Sequence, residues 1–427
     1  MLPPPPPQSL ILAFEAARRA VEEHASLLTP GVEETVPLLH AAGRVLAEPV
    51  TANRDIPPFP RSTRDGYAVR ADDLKKLPAQ LKQIGEIKAG PLPTNTPRTL
   101  SPGETFSIMT GAPVPQGADA VVMIEYTSRQ DDRIEFTKEI APGENIVPQG
   151  AEAKGGSLLL DRGTLLSETA IALAASVGKS KLQVFPRPRI AILTTGDEIV
   201  DIDAEIGPTQ IRNSNTYSLA VQVQQAGAEP VLLPIAPDEP RRLRELIEEG
   251  LQSDLLLMTG GVSMGRYDLV EQVLAEMHAE FFFTGAKIQP GRPVVFGRVK
   301  CGSDTLAREM PSAFVHKYFF GLPGNPVSTM VTFELFARPL IGALSGAAPT
   351  PLLFSRAALS ADFKTKPGLT RFLPATLSGP HTNPQVELIR WQGSGDVVSM
   401  SKANCLLVVP PDREIVAAGE PVSILLL

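Results

Sequence analysis

Short apolar segments alternate with amphipathic segments along the second half of the chain. Four segments have the length and apolarity of buried strands: Ile190–Leu193, Pro230–Ile235, Asp254–Met258 and Tyr318–Leu322. Segments with apolar residues at helical spacing separate or follow these strands: Thr216–Ala226, Glu239–Leu251, a helix opening at Asp268, and Thr329–Leu344. Because crossovers between parallel strands are right-handed and place helices on the faces of the sheet, the pattern predicts an α/β, doubly wound parallel-sheet domain.

The loop after each predicted strand has an unusual composition. These loops contain Thr195–Glu198, Ala236–Asp238, Gly260–Asp268 and Pro323–Ser328. The third is the richest in glycine: Gly260 and Gly261 allow close backbone approach to a ligand, and Ser263 adds a hydroxyl. Carboxyl ends of parallel strands meet at one edge, where open α/β sheets bind ligands. The sequence therefore predicts a site there.

The first part of the chain follows a different pattern. Ser9 is placed to cap a helix in which Leu10, Phe14, Ala17 and Val21 share one face. The region from about residue 51 to 157 has short alternating strands and turns, which predicts a mostly β structure. Gly163–Gly178 returns to helical spacing, so the β region reads as an insertion.

Composition limits the function classes. A chain of 427 residues with 43% hydrophobic content is large enough for several domains, and its net charge of −7 gives no support to nonspecific nucleic-acid binding. The two cysteines are far apart in sequence, which fits a reducing cytoplasm. No apolar run approaches the roughly 20 residues of a membrane span, and the start lacks the basic region of a signal peptide. We expect a cytoplasmic protein with no membrane partner.

Three acidic residues come from three of the predicted edge loops. Glu198, Asp238 and Asp268 offer oxygen ligands to Mg²⁺, which binds through one or two carboxylates together with waters and substrate phosphates. Asp238 and Asp268 also precede helices, where aspartate is a favoured cap. Because all three carboxylates are predicted at one edge of the sheet, we favour a metal site over helix capping. Lys287 and Arg292 supply positive charge beside two prolines, and a metal with basic residues is a usual arrangement for phosphate chemistry; a simply solvated pair is the alternative.

A competing enzymatic interpretation rests on Gly261–Gly265, which matches the G-x-S-x-G elbow of serine hydrolases. Ser263 would then be the nucleophile. A hydrolase also needs a later acid and histidine, and none of the candidate histidines follows a convincing strand end: His278, His316 and His381.

Six motifs together resemble the molybdopterin molybdenumtransferase family of molybdenum-cofactor biosynthesis, which is related to the gephyrin E domain. They are Ser62–Ala68, Met109–Val122, Thr195–Glu198, Gly260–Asp268, Pro290–Pro293 and Gly321–Ser328. The resemblance covers nearly the whole chain and implies four domains. These are a helical domain from residues 1–50 and 158–185, an inserted β domain at 51–157, an α/β molybdopterin-binding domain at 186–345, and a small C-terminal β barrel at 346–427.

The resemblance also implies an activity. Molybdate is inserted into adenylylated molybdopterin as AMP leaves, with Mg²⁺ assisting, in a cleft shared by the two chains of a homodimer. By motif, Asp65 and Thr110 come from the partner chain and join Glu198, Asp238 and Asp268 as catalytic residues. The expected substrate-binding residues are Gly260, Gly261, Ser263, Lys287, Arg292, Pro293, Pro323, Pro326, Ser328, Arg371 and Ser394. For the last two, the segments around Arg371 and Ser394 are equally typical of ordinary strand ends. The upstream molybdopterin adenylyltransferase is an expected partner.

Some positions depart from the family's commoner form. Arg64 and Arg266 replace other residue types, and Gln289 and Arg292 stand where lysines are often found. A noncatalytic scaffold with the same fold also stands as an alternative function, because a fold does not fix a function. Carboxylates gathered on one edge argue against it, since they repel each other unless a cation or substrate uses them.

Overall fold

A computed structural model of the chain describes residues 10–90, 99–261, 269–301 and 315–427. Its α-helices are α1 Phe14–Ala25, α2 Glu168–Ser176, α3 Asn215–Gln225, α4 Pro240–Gly250, α5 Leu269–Glu276, α6 Pro326–Thr332, α7 Arg338–Leu344 and α8 Val397–Met400. A π-helical turn, Phe333–Ala337, joins α6 to α7. Short 3₁₀ turns cover Leu38–Ala41, Ala71–Leu74 and Ile124–Tyr126.

The strands, in chain order, are β1 Ile11–Leu12, β2 Glu34–Pro37, β3 Val50–Thr51, β4 Arg61–Ser62, β5 Gly66–Val69, β6 Ala79–Ile87, β7 Glu104–Ile108, β8 Ala120–Met123, β9 Thr127–Gln130, β10 Arg133–Phe136, β11 Ile146–Val147, β12 Leu158–Leu160, β13 Lys181–Val184, β14 Arg189–Thr194, β15 Ile199–Val200, β16 Ile211–Arg212, β17 Glu229–Leu232, β18 Leu255–Thr259, β19 Glu280–Phe283, β20 Gly285–Ala286, β21 Ile288–Gln289, β22 Val295–Cys301, β23 Val315–Leu322, β24 Phe354–Leu359, β25 Phe363–Lys364, β26 Thr370–Ser378, β27 Gln385–Leu388, β28 Cys405–Val409, β29 Ile415–Val416 and β30 Pro421–Leu426.

The chain divides into two compact units. The first comprises Met1–Ala47, Gly163–Ser167 and Lys181–Leu427, and the second comprises Glu48–Arg162 and Glu168–Ser180. The second unit thus contains the β region predicted as an insertion. The four-domain division implied by the sequence stays a prediction.

A six-stranded sheet forms the centre of the first unit, in the order β17-β14-β18-β23-β22-β19. Strands β17, β14, β18 and β23 run parallel to one another, which confirms the predicted parallel strands. Strands β22 and β19 extend it in antiparallel register, so the whole sheet is mixed. Sequence reasoning did not predict β19 or β22.

Side-chain alternation in the sheet explains its two-sided burial. Ile190 and Ile192 belong to a core that includes Leu219 of α3, whereas Ala191 and Leu193 belong to a separate core on the other face. That second core holds the apolar residues of α4 and α5: Leu243, Leu246, Ile247, Val270, Val273 and Leu274. Each fully buried Leu, Ile or Val side chain contributes about 1.5–3 kcal/mol. Helices on both faces therefore fix the sheet and the position of its carboxyl edge.

A closed five-stranded barrel lies at the C-terminal end of the chain. The strands pair in the order β26-β27-β24-β30-β28, and β28 pairs with β26 to close the circle. Strand β21, from the α/β part of the first unit, pairs in parallel with β26 and places Gln289 opposite Arg371. The predicted C-terminal β barrel is confirmed.

The second unit is mostly β, as predicted. Its main sheet has the order β8-β5-β7-β6-β10-β9, and its core includes Phe106 and Phe136, both fully buried. Gly66 in β5 is required by close packing, because a Cβ there would lie 1.9 Å from the Val122 carbonyl oxygen. The helix predicted over Gly163–Gly178 is shorter, since α2 covers Glu168–Ser176.

The first helix begins later than its apolar spacing suggested. The predicted cap, Ser9, lies outside the described residues. Ile11–Leu12 is a strand paired with Gly285–Ala286. The Leu10 N–H donates to Thr284 Oγ1 at 2.9 Å, and the Thr284 N–H donates to the Leu10 carbonyl oxygen at 2.9 Å. The prediction that Leu10 belongs to the helix was wrong, because pairing with a distant strand satisfies these backbone groups before α1 starts.

Among the described residues, one helical stretch is long and apolar enough to pass a test for a membrane span. It is Pro326–Leu344, with a mean hydropathy of 1.3 and 61% of its window buried inside the molecule. Core helices pass the same test, so the stretch is weak evidence for a membrane.

Candidate active site

The carboxyl ends of four parallel strands form the edge on which the candidate site is built. Strands β14, β17, β18 and β23 end there, and a bridge between Thr195 and Ala236 continues the pairing beyond two of them. The loops that sequence analysis singled out therefore do leave from a single edge of the sheet. We call this the carboxyl edge.

A glycine turn follows β18 at the carboxyl edge. Gly260 has φ +89° and Gly261 has φ +60°, in the left-handed region that favours glycine. A Cβ on Gly260 would lie 2.3 Å from the Thr195 carbonyl oxygen, so this turn and the loop after β14 are in close contact. Residues 262–268, which include the predicted site residues Ser263 and Asp268, lie outside the described residues.

Two loops bring three carboxylates together at the edge. The Asp238 backbone N–H donates to Asp197 Oδ1 at 3.0 Å. Burial raises the pKa of the Asp238 carboxyl, and the negative charges of Asp197 and Glu198 raise it further. Glu198 and Asp238 are thus neighbours, as predicted. Sequence reasoning missed Asp197, although two adjacent acids at a strand end could have signalled it.

These carboxylates do not by themselves form a metal cage. Within the described ranges, no group of three or more His, Cys, Asp or Glu side chains has the arrangement to hold a metal ion. The third predicted ligand, Asp268, falls in a gap between those ranges. The described donors are therefore three exposed carboxylates from the loops after β14 and β17: Asp197, Glu198 and Asp238.

The segment from Lys287 to Pro293 supplies the predicted cations. The side chains of Lys287 and Arg292 are exposed, and within the described part of the chain neither forms an ion pair. Backbone bonds hold the segment: the Lys287 N–H donates to Leu12 O at 2.7 Å, and the Ala286 N–H donates to Arg292 O at 3.0 Å. Pro293 is half-buried beside Arg292. The Lys287 and Arg292 side chains can therefore bind an anion.

The loop after β23 contacts a segment of the C-terminal part of the chain. Asn325 Nδ2 donates to Ser394 Oγ at 2.9 Å, and the Val327 N–H donates to the Ser394 carbonyl oxygen at 3.0 Å. Pro323 is buried in this loop, and Ser328 is buried in α6, which begins at Pro326. The structure therefore brings Ser394 together with the predicted residues of the loop after β23.

Arg371 lines a cleft in the first unit. Its side chain is only 7% exposed, and the one hydrogen bond described for it is from Nη1 to the Leu369 carbonyl oxygen at 3.1 Å. Burial lowers the pKa of this guanidinium. It lines an open cleft of about 440 Å³ together with Gln289, Phe363, Arg390 and Trp391. A buried cation without a described carboxylate partner is suited to an anionic ligand.

Asp65 and Thr110 form a separate pair in the second unit. The Thr110 N–H donates to Asp65 Oδ1 at 2.7 Å, and this bond, with one from the Thr110 side chain, lowers the pKa of the Asp65 carboxyl. Both residues are exposed at the ends of a turn and a strand. The carboxylate is therefore held ionised and oriented on the surface.

Three family models match successive parts of the chain. Residues 12–178 match the model described as the MoeA N-terminal region (domain I and II), residues 191–343 match a probable molybdopterin-binding domain, and residues 356–427 match the MoeA C-terminal region (domain IV). The molybdopterin molybdenumtransferase of Nostoc sp. is 34% identical over 92% of this chain and 88% of its own length. That of Staphylococcus aureus is 31% identical over 96% of this chain and 94% of its own.

The chain belongs to the molybdopterin molybdenumtransferase family. It is an enzyme of molybdenum-cofactor biosynthesis that inserts molybdenum. A crystal structure of a molybdopterin biosynthesis moeA protein from Pyrococcus horikoshii has the same fold as this chain, with a TM-score of 0.74 and 28% identity, and the match covers 98% of this chain and 100% of that one. The resemblance drawn from the motifs is confirmed, and with it the multidomain fold.

Proposed function

We propose that the carboxyl edge binds adenylylated molybdopterin and that molybdate insertion at its dithiolene sulfurs is coupled to loss of AMP. The carboxylate cluster carries the proposal: the Asp238 N–H donates to Asp197 Oδ1 at 3.0 Å, and burial, followed by the negative charges of Asp197 and Glu198, raises the pKa of the Asp238 carboxyl. Such a cluster is stabilised when a cation bound to phosphate joins it. In the hydrolysis, water adds to one phosphorus of the anhydride, and the bridging oxygen leaves with the other phosphate.

Mg²⁺ is the cation that these residues fit. Their donors are carboxylate oxygens, and Mg²⁺ takes one or two carboxylates while keeping waters and phosphate oxygens in its remaining positions. Glu198 and Asp238 would hold it, and Asp268 is predicted to join them. When bound, the ion would neutralise charge on the phosphates. The exposure of the two described carboxylates leaves room for the substrate's own oxygens.

Molybdate and phosphate oxygens need cations on the opposite side of the substrate. Lys287 and Arg292 are exposed, without ion pairs among the described residues, and Arg371 is buried without a described carboxylate partner. We assign these three side chains to anion binding. The remaining predicted substrate contacts are Gly260, Gly261, Ser263, Pro293, Pro323, Pro326, Ser328 and Ser394.

A working site is proposed to need two copies of the chain. Asp65 and Thr110, which the sequence resemblance assigns to the partner, would supply an ionised carboxylate and a hydroxyl. A homodimer of twofold symmetry would then hold two identical sites. We further propose a cytoplasmic location and transfer of substrate from the upstream molybdopterin adenylyltransferase.

Release of AMP from adenylylated molybdopterin tests the proposal. The expected result is release that requires Mg²⁺ and increases with molybdate. Release that is indifferent to both would contradict it. Ser263→Ala separates the rival interpretation: the variant retains substantial cleavage if the serine only binds oxygen, and loses all turnover if the serine is a nucleophile.

A further inference from the structure

A buried amide beneath the carboxyl edge belongs to none of the roles described so far. Asn215 is the first residue of α3 and its side chain is 7% exposed. Its Nδ2 donates to Thr259 Oγ1 at 2.9 Å and to the Gly324 carbonyl oxygen at 2.8 Å. A carbonyl oxygen only accepts hydrogen bonds, so the amide nitrogen must face Gly324 and the orientation of the side chain is fixed.

The two acceptors lie where two different loops of the carboxyl edge begin. Thr259 ends β18 directly before the glycine turn, and Gly324 lies in the loop after β23. Thr259 Oγ1 in turn donates to the Pro323 carbonyl oxygen at 3.1 Å. A Cβ on Gly324 would lie 3.4 Å from the Gly260 Cα atom. Asn215 therefore joins two loops where their backbones approach van der Waals contact.

A second set of bonds ties the start of α3 to a third loop. Thr216 Oγ1 lies 2.8 Å from Thr194 Oγ1, at the end of β14, and accepts from Asn213 Nδ2 at 2.9 Å. The Thr216 N–H donates to Asn213 Oδ1 at 3.1 Å. All three side chains are buried. The beginning of α3 is thus fixed relative to the loop that carries Asp197 and Glu198.

We propose that Asn215 is a positioning residue for molybdenum insertion. Its amide sets the distance between the glycine turn after β18 and the loop after β23, so that groups held by these loops meet the substrate in reactive geometry. The inference rests on the proposed function in assigning both loops to the substrate. Misplacement of reacting groups by about 1 Å costs on the order of a hundredfold in rate.

The same helix offers a matched control. Gln222 also lies on α3, and its Nε2 donates to the Met330 carbonyl oxygen at 3.1 Å and to Glu334 Oε1 at 2.9 Å. It therefore resembles Asn215 in donating from one amide to a backbone carbonyl and a side chain. Its partners lie on α6 and the π-helical turn instead of on the substrate loops.

Steady-state AMP release is compared for the full-length wild type, Asn215→Asp, Asn215→Ala, and Gln222→Glu, at a temperature where all are folded. Both Asn215 variants should lose about tenfold to a hundredfold in kcat with less than about a threefold change in KM, whereas Gln222→Glu should keep the wild-type kcat. A raised KM with unchanged kcat, or an equal loss in Gln222→Glu, overturns the proposal.

Hydrogen exchange of the same proteins without substrate gives a readout independent of the reaction. Peptides containing Gly260 and Gly324 should exchange about tenfold faster in Asn215→Ala and at the wild-type rate in Gln222→Glu. Unchanged exchange at both turns overturns the positioning role. If the wild type released no AMP, the proposed function would fail, and exchange would still decide whether Asn215 fixes the two turns.

Discussion

Replacement of Gly260 by alanine tests the geometry on which the carboxyl edge depends. The added Cβ would lie 2.3 Å from the Thr195 carbonyl oxygen, at a residue with φ +89°. The left-handed conformation costs an alanine about 1–2 kcal/mol, and overpacking costs about 1–3 kcal/mol. The lower entropy of the unfolded variant returns about 0.4–1 kcal/mol. The free energy of unfolding should therefore fall by about 1–5 kcal/mol.

Gly342→Ala is the control for this substitution. Gly342 lies within α7, does not have a positive φ, and a Cβ there would meet nothing within 4 Å of its described surroundings. Alanine is favoured over glycine inside a helix by about 1 kcal/mol, so this variant should be more stable than the wild type. Urea unfolding followed by circular dichroism measures both midpoints. If Gly260→Ala unfolds at or above the wild-type midpoint, the described turn geometry is wrong.

Three further predictions follow from the charges of the molecule. Folding raises the pKa of Asp238 above its ordinary 3.8, so the wild type loses stability as pH rises from about 4 to the folded pKa. Asp238→Asn should therefore be more stable than the wild type at pH 7 and lose this advantage below about pH 4. Equal dependence of stability on pH in the two proteins would contradict this. Arg371→Met should lower molybdate-dependent AMP release at least about tenfold in steady-state assays without lowering the melting temperature, since it removes a buried cation; retained release would remove Arg371 from the site. Mixing inactive Asp65→Ala and Asp238→Ala chains should restore about a quarter of wild-type AMP release, since roughly half of the dimers are mixed and one of the two sites in each is intact. Mixed dimers that are verified and still inactive would exclude a shared site.

Periodicity predicted the parallel part of the central sheet because burial on both faces leaves a simple pattern. Strands such as Leu255–Thr259 are fully buried, and helix spacing marks α4 and α5. The antiparallel strands β19 and β22 were missed although they pair with strands nearby in the sequence, because a short apolar run such as Glu280–Phe283 cannot be assigned to a strand or a helix from periodicity alone. The start of α1 was misplaced for a different reason: Ile11 pairs with Gly285, far away in the sequence, and local spacing does not reveal that pairing.

The site was predictable where its chemistry is local in sequence. Acidic residues after predicted strands led to Glu198 and Asp238, and the structure places both in one electrostatic cluster. Asp197 and Asn215 were missed because their roles depend on contacts with other loops, at Asp238 and at Gly324. An asparagine just before the predicted helix Thr216–Ala226 suggests only a helix cap, and its bonds to Thr259 and Gly324 are visible only in the folded chain.

The stoichiometry of molybdenum insertion tests the central claim most directly. Wild-type protein is incubated with adenylylated molybdopterin, molybdate and Mg²⁺, and the AMP released is compared with the molybdenum retained on the pterin product. We predict one molybdenum per AMP in the wild type and a loss of both in Asp238→Asn, which removes one of few proposed Mg²⁺ ligands. AMP release without molybdenum retention in the wild type, or normal yields of both in Asp238→Asn, would contradict the proposed coupling of insertion to cleavage at the carboxyl edge.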